Sequence, residues 1–225
     1  MVIDGVSSRR YGQFMRGLSG GIGVLAMAGF FWLAVAGWAA DCRRIGAPPW
    51  TKEYVPAHYS IWAWWVAFGG MVVLLLGAWR VRRKATAFRS SETLQATDSD
   101  RRMTRRIVRT FLLVAIAEGG MCWLSAVLAM NYHRHDLLWP GMSVAVSLHF
   151  IPLGRLFRMP PYYVTGTLGA AFSLLTILPP QQALTGSTRL MLLGAAMAPI
   201  MWITALYVIR NSDELAQRWI CESAP

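Results

Sequence analysis

Two ionisable residues stand deep inside otherwise apolar sequence: Glu118 within IVRTFLLVAIAEGGMCWLSAVLAM and His149 within LLWPGMSVAVSLHFIPLGRLF. Both segments have membrane-crossing length, and the short turn Asn131-Tyr132-His133-Arg134-His135-Asp136 joins them. Glu118 comes thirteen residues before Asn131 and His149 thirteen after Asp136, and in an antiparallel hairpin equal distance from the turn means equal depth. At ~1.5 Å per residue both lie about 20 Å below the outer end, past the middle of a ~30 Å hydrocarbon core. A charge is costly there, so such residues mark ion paths and proton relays by default. A carboxylate and an imidazole at one depth would share a proton or form an ion-pair hydrogen bond. Pro152 sharpens the expectation, because it lacks the N–H that would bond the Leu148 carbonyl beside His149, and a freed carbonyl is the start of a cation or water site. Gly119 and Gly120 leave room beside Glu118 for a helix or a water. The competing reading is a buried tie between helices, satisfied by Ser125, Ser143, Ser147, Thr165 or Thr167. Interhelical polar contacts of that kind average ~0.6 kcal/mol.

Two weaker constellations lie at the ends of the same hairpin. On the outer side, His133, His135 and Asp136 share one turn, and His58 lies on the first outer loop with Asp41 and Cys42 nearby. Imidazole and carboxylate suit zinc or copper if the loops converge, although no metal-ligand spacing is completed locally. On the inner side, Arg155, Arg158, Tyr162 and Tyr163 combine two cations with two phenols. They read as interfacial anchors, with an anionic headgroup or phosphate site as the runner-up. P-loop, Ser-His-Asp, HExxH and CxxCH patterns are absent, so the familiar enzymatic signatures are missing and no cofactor is identified. The three cysteines fall in three different compartments, which argues against an internal disulfide.

The elements that must position these residues follow from composition. Of 225 residues, 55% are hydrophobic and 15% charged, against roughly 25% charged in soluble domains. The mean hydropathy is +0.39. The expected fold class is an all-α integral membrane protein with six transmembrane helices, at about 18–40, 61–79, 110–130, 137–156, 162–178 and 190–209. Residues 1–79 form an N-terminal two-helix hairpin, 80–109 a basic cytoplasmic linker, and 110–225 a four-helix unit with a short polar tail. Trp62, Trp64 and Trp65 open the second span as an aromatic belt would. With the N-terminus inside, 17 of the 22 Lys and Arg fall on the cytoplasmic side, which places both termini in the cytoplasm by the positive-inside rule. That distribution accounts for the net charge of +11 and leaves a nucleic-acid partner nothing to explain.

The segment Leu148-His-Phe-Ile-Pro-Leu-Gly-Arg-Leu-Phe157, continuing to Tyr162-Tyr-Val-Thr-Gly166, resembles one found in small multi-pass bacterial inner-membrane proteins of unknown function. It covers about twenty residues and implies a multi-pass protein of the bacterial cytoplasmic membrane, with no catalytic residue to carry over. Two functional expectations remain. One is a small proton- or cation-coupled transporter or permeation module working through Glu118 and His149, rocking at Pro152 and Pro199. The other is a non-catalytic membrane subunit or scaffold, a homo- or hetero-oligomer packing through Gly166, Gly169 and Ala170 or through Ala195, Ala196 and Ala198. Anionic lipids at the 80–109 loop are the expected bilayer contact.

Overall fold

An apolar segment in hydrocarbon has no water to satisfy its peptide groups, so it closes every hydrogen bond within itself. The computed structural model follows that rule. It describes residues 5–46, 59–87, 98–180 and 182–223, and these form seven α-helices with one 3-10 turn and no strand. In chain order the helices are α1 (Gly5–Arg44), α2 (Tyr59–Ala87), α3 (Asp98–Asn131), α4 (Leu138–Phe157), α5 (Pro160–Ile177), α6 (Gly186–Arg210) and α7 (Ser212–Ser223), with the 3-10 turn at His135–Leu137. Five stretches are long and apolar enough to cross a membrane: Tyr11–Arg44, Ser60–Thr86, Arg105–Asn131, His135–Phe157 and Gly186–Arg210. This is the pattern of a membrane-embedded protein. The expected fifth span, α5, falls outside that set. Its 18 residues carry Tyr162, Tyr163, Thr165, Thr167, Ser173 and Thr176, which lower its apolarity.

Helix α1 is the centre of the bundle. Tyr11, Met15, Leu18, Ile22 and Leu25 recur at alternating steps of four and three residues, and all are buried. This stripe packs against α2 on one side and α6 on the other. Trp202 of α6 is the wedge among the three. Its indole N–H reaches the Ala26 carbonyl at 3.4 Å, and a Cβ on either Gly29 or Gly70 would collide with the ring. Glycine at both positions is what lets α6 seat against α1 and α2.

The units expected at 1–79 and 110–225 therefore share one core cluster, running from Tyr11 and Leu74 to Met201 and Trp219. Most of the expected 80–109 linker that is described is helical: α2 runs on to Ala87 and α3 starts at Asp98. The expected polar tail is also helix. In α7, Leu215, Ala216 and Trp219 are buried, and Trp219 stacks on Phe14 with ring centroids 5.2 Å apart. Asp213 at its first turn accepts hydrogen bonds from the Tyr11 hydroxyl and the Lys84 ammonium, each at 2.6 Å, and so ties α7 to α1 and α2.

The other half of the bundle is a row. Helix α5 packs on α4 and α6, and α3 packs on α4 at the outside. Gly166 and Gly169 of α5 lie directly on Ser147 of α4, too close for a Cβ at either position. Buried hydroxyls cross these seams, Thr165 to Thr204 at 2.6 Å and Ser173 to Ser143 at 2.8 Å. By contrast α3 is open: Phe111, Leu112, Leu113, Ile116 and Trp123 are all more than half exposed.

Candidate functional site

Helix α3 carries Glu118 toward α4, and α4 carries His149 toward α3. The hairpin register inferred from the turn is the register found. Glu118 Oε2 lies 3.2 Å from His149 Nδ1, with the two side chains 28% and 13% exposed. The approach has ion-pair distance without the alignment of a hydrogen bond, so the buried Nδ1 has no hydrogen-bond partner among the described residues. The imidazole stacks on Phe150, centroids 4.3 Å apart, which holds its plane. Pro152 lies inside α4, and its missing N–H leaves the Leu148 carbonyl free of its intrahelical bond. Three of the five hydroxyls expected to satisfy the pair are engaged elsewhere: Ser125 bonds the Met121 carbonyl at 2.9 Å, Ser143 pairs with Ser173, and Thr165 with Thr204. Thr167 is exposed, and the buried Ser147 Oγ, like Nδ1, has no hydrogen-bond partner among the described residues.

Beside the pair, the seam of α3 and α4 opens into a groove of about 240 Å³. Thr110, Leu113, Val114, Ala117 and Met121 form one wall, and Leu148, His149 and Pro152 form the other. On α3 these positions make one helical face. The wall is apolar except at Thr110 and His149.

The turn between α3 and α4 is built around a different set of charges. His133 takes a left-handed conformation, φ 52°, and the Arg134 N–H reaches back to the Ala129 carbonyl at 2.8 Å to close α3. Asp136 is buried and faces cations. Arg134 donates to its two oxygens at 3.0 and 3.1 Å, and Arg189 Nε lies 3.4 Å from Oδ2. Donating to the Asp136 carboxylate holds the Arg134 guanidinium even more firmly protonated than usual. Asp136 is thereby the salt-bridge partner of two arginines. No group of three metal-ligating side chains occurs among the described residues. His58 lies outside the described residues.

Arg189 is the buried structural charge that sequence reasoning passed over, since counting charges by side treats it only as one of the five basic residues off the cytoplasmic face. It is fully buried. Its Nη1 donates to the Thr176 carbonyl, and to that of Ile177 at 3.3 Å; its Nη2 donates to Pro179 at 2.5 Å and its Nε to Leu184 at 3.1 Å. The guanidinium thus sits on the unpaired carbonyls at the negative end of α5. A sign was present in the sequence: Arg189 falls in the first turn of α6, where a cation opposes the helix dipole unless its charge is directed elsewhere.

At the opposite end of the hairpin, Arg158 is the left-handed C-cap of α4, with the Met159 N–H bonded to Gly154 at 2.9 Å. Arg155 is exposed. Tyr162 turns inward, edge-on to Phe150 at 5.6 Å, while Tyr163 is 40% exposed. The four residues expected as one anion or lipid site therefore divide: Arg155 and Tyr163 face out, Tyr162 belongs to the core, and Arg158 turns the chain. Of the small-residue faces, Gly166, Gly169 and Ala170 are buried within the chain, and so is Ala198, whereas Ala195 is exposed.

Compared with protein-family models, with curated proteins and with solved structures, the chain matches none. The reading of its function rests on its own residues.

Proposed function

We propose that this is a six-span protein of the bacterial cytoplasmic membrane, with both termini inside, that moves protons or small cations through the Glu118–His149 pair. The orientation rests on the 17 of 22 basic residues that this topology places on the cytoplasmic side. Helix α5 is the remaining crossing, with Thr165 turned to α6 and Ser173 to α4.

The observation that carries the functional reading is the 3.2 Å approach of Nδ1 to Oε2 in a setting that leaves Nδ1 without a hydrogen bond. Buried polar groups are normally paired, and one that is not calls for an explanation. Beside a carboxylate at 3.2 Å, Nδ1 reads as a site for a proton or ion. With one proton the pair is neutral overall, as carboxylic acid with imidazole or as carboxylate with imidazolium. Losing that proton leaves one negative charge, which a cation can replace, with the free Leu148 carbonyl as a further oxygen ligand. Movement of α4 at Pro152 and of α6 at Pro199 would then expose the site to either side in turn.

Infrared difference spectroscopy in nanodiscs tests this directly. A carboxyl band should follow the external pH, vanish in Glu118→Gln and shift in His149→Ala. Proteoliposomes of both variants should lose proton flux driven by a pH gradient. A band that ignores both pH and the His149 change would end the proposal and leave a sealed structural tie.

A further inference from the structure

The geometry points to a bound anionic phospholipid, one acyl chain lying in the α3–α4 groove and its headgroup held by arginines at the groove's basic end. Met121 and Thr110 mark the length of the α3 wall. They are eleven residues apart, about 16 Å along the helix, room for a segment of one extended chain. The apolar wall offers such a chain full contact, and His149 closes the far end.

The occupant's charge follows from what continues the two walls. One turn below Thr110 on the same face of α3 is Arg106. Three residues beyond Pro152 on the same face of α4 is Arg155. Both are exposed, as are Arg105 and Arg109. No acidic residue lies between Arg102 and Glu118 on α3, and none occurs in α4, so this end of the seam is uniformly positive. A phosphodiester with no positive group complements it, whereas a choline headgroup would bring a like charge to the same arginines. The site shares His149 with the pair as part of the groove wall, but lipid binding needs no titration of either residue.

Native mass spectrometry from detergent, with phosphatidylglycerol and phosphatidylcholine of identical chains competing, reads the site. The wild-type chain should retain one phosphatidylglycerol with roughly 25-fold preference, Arg106 and Arg155 each contributing about a factor of five. Two exposed variants probe the two halves of the site, Arg106→Gln with Arg155→Gln for the headgroup and Ala117→Phe for the chain, and each should abolish the preference. Equal retention of the two lipids by the wild type would overturn the proposal. So would a preference that survives Ala117→Phe, since the anion would then be held by surface charge without a chain in the groove.

Discussion

Two sets of charge lie in apolar surroundings along the α3–α4 hairpin, and they are built on opposite plans. At the turn end, Arg189 is sealed from solvent and its donors are directed at the carbonyls of Thr176, Ile177, Pro179 and Leu184 and at Asp136. Arg134 takes up the rest of Asp136. Some 13 residues deeper, Glu118 and His149 approach to 3.2 Å and leave Nδ1 without a hydrogen bond, beside a proline-broken turn and an open groove. A fully satisfied buried charge is structure, because moving it would cost its whole set of partners. A half-satisfied one keeps capacity for another proton or ion, and that is the difference expected between a strut and a site.

The comparison breaks most readily at Arg189. Removing one partner of a buried charged network leaves the others desolvated and unpaired, so Arg189→Met should cost about 3–5 kcal/mol in reversible unfolding from detergent. Arg189→Lys should recover only part of this, because an ammonium lacks the planar fork that spans several carbonyls. If Arg189→Met melts with the wild type, the strut is misassigned and the contrast between the two sites fails.

The same unfolding assay should find the inner pair nearly silent. Glu118→Gln and His149→Ala should each lower stability by about 1 kcal/mol or less, and a double-mutant cycle should give a coupling near the ~0.6 kcal/mol typical of interhelical polar contacts. Both should nonetheless stop proton flux. A coupling of several kcal/mol would place the pair in the same class as Arg189 and favour the tie over the site.

Which parts of this arrangement were legible in the sequence follows from the range of the interactions. Glu118 and His149 could be paired because one turn links their helices, and a hairpin converts sequence distance into depth. Facing did not come with it: equal depth leaves the rotation of each helix about its axis open, and only the packed seam of α3 and α4 brings the two side chains to 3.2 Å. The role of Arg189 depends on α5 ending against α6, a contact that charge counting assigns to solvent; only its awkward place in a first helical turn gave a sign. Of the two arginines on Asp136, Arg134 stands in the same turn and was within reach of sequence reasoning, whereas Arg189 is 53 positions away and was not. Helix α7 was hidden by its polar composition, although Leu215, Ala216 and Trp219 have helical spacing. The sharing of one core by α1 and α6 was invisible as well, because apolar segments bound for lipid and for a neighbouring helix have the same composition.

The smallest expected effect concerns α7, and it tests whether a surface tie behaves like the strut in miniature. Hydrogen bonds from Lys84, then Tyr11, stabilise the Asp213 carboxylate and hold its pKa below the usual carboxylate value. An acid depressed by folding contributes stability above its unfolded pKa and loses it as pH falls through the folded value. Docking of α7 should therefore persist where an ordinary aspartate begins to protonate, and weaken only in more acidic buffer. Asp213→Asn should remove that acid transition and loosen α7 even at neutral pH. Amide exchange over 212–223 with Trp219 fluorescence would follow both. Since Asp213 and Lys84 are each about half exposed, the tie is screened by solvent and salt should weaken it. Arg189, sealed in the bundle, should be indifferent to salt over the same range. Equal salt dependence at the two sites would mean that burial is not what separates them.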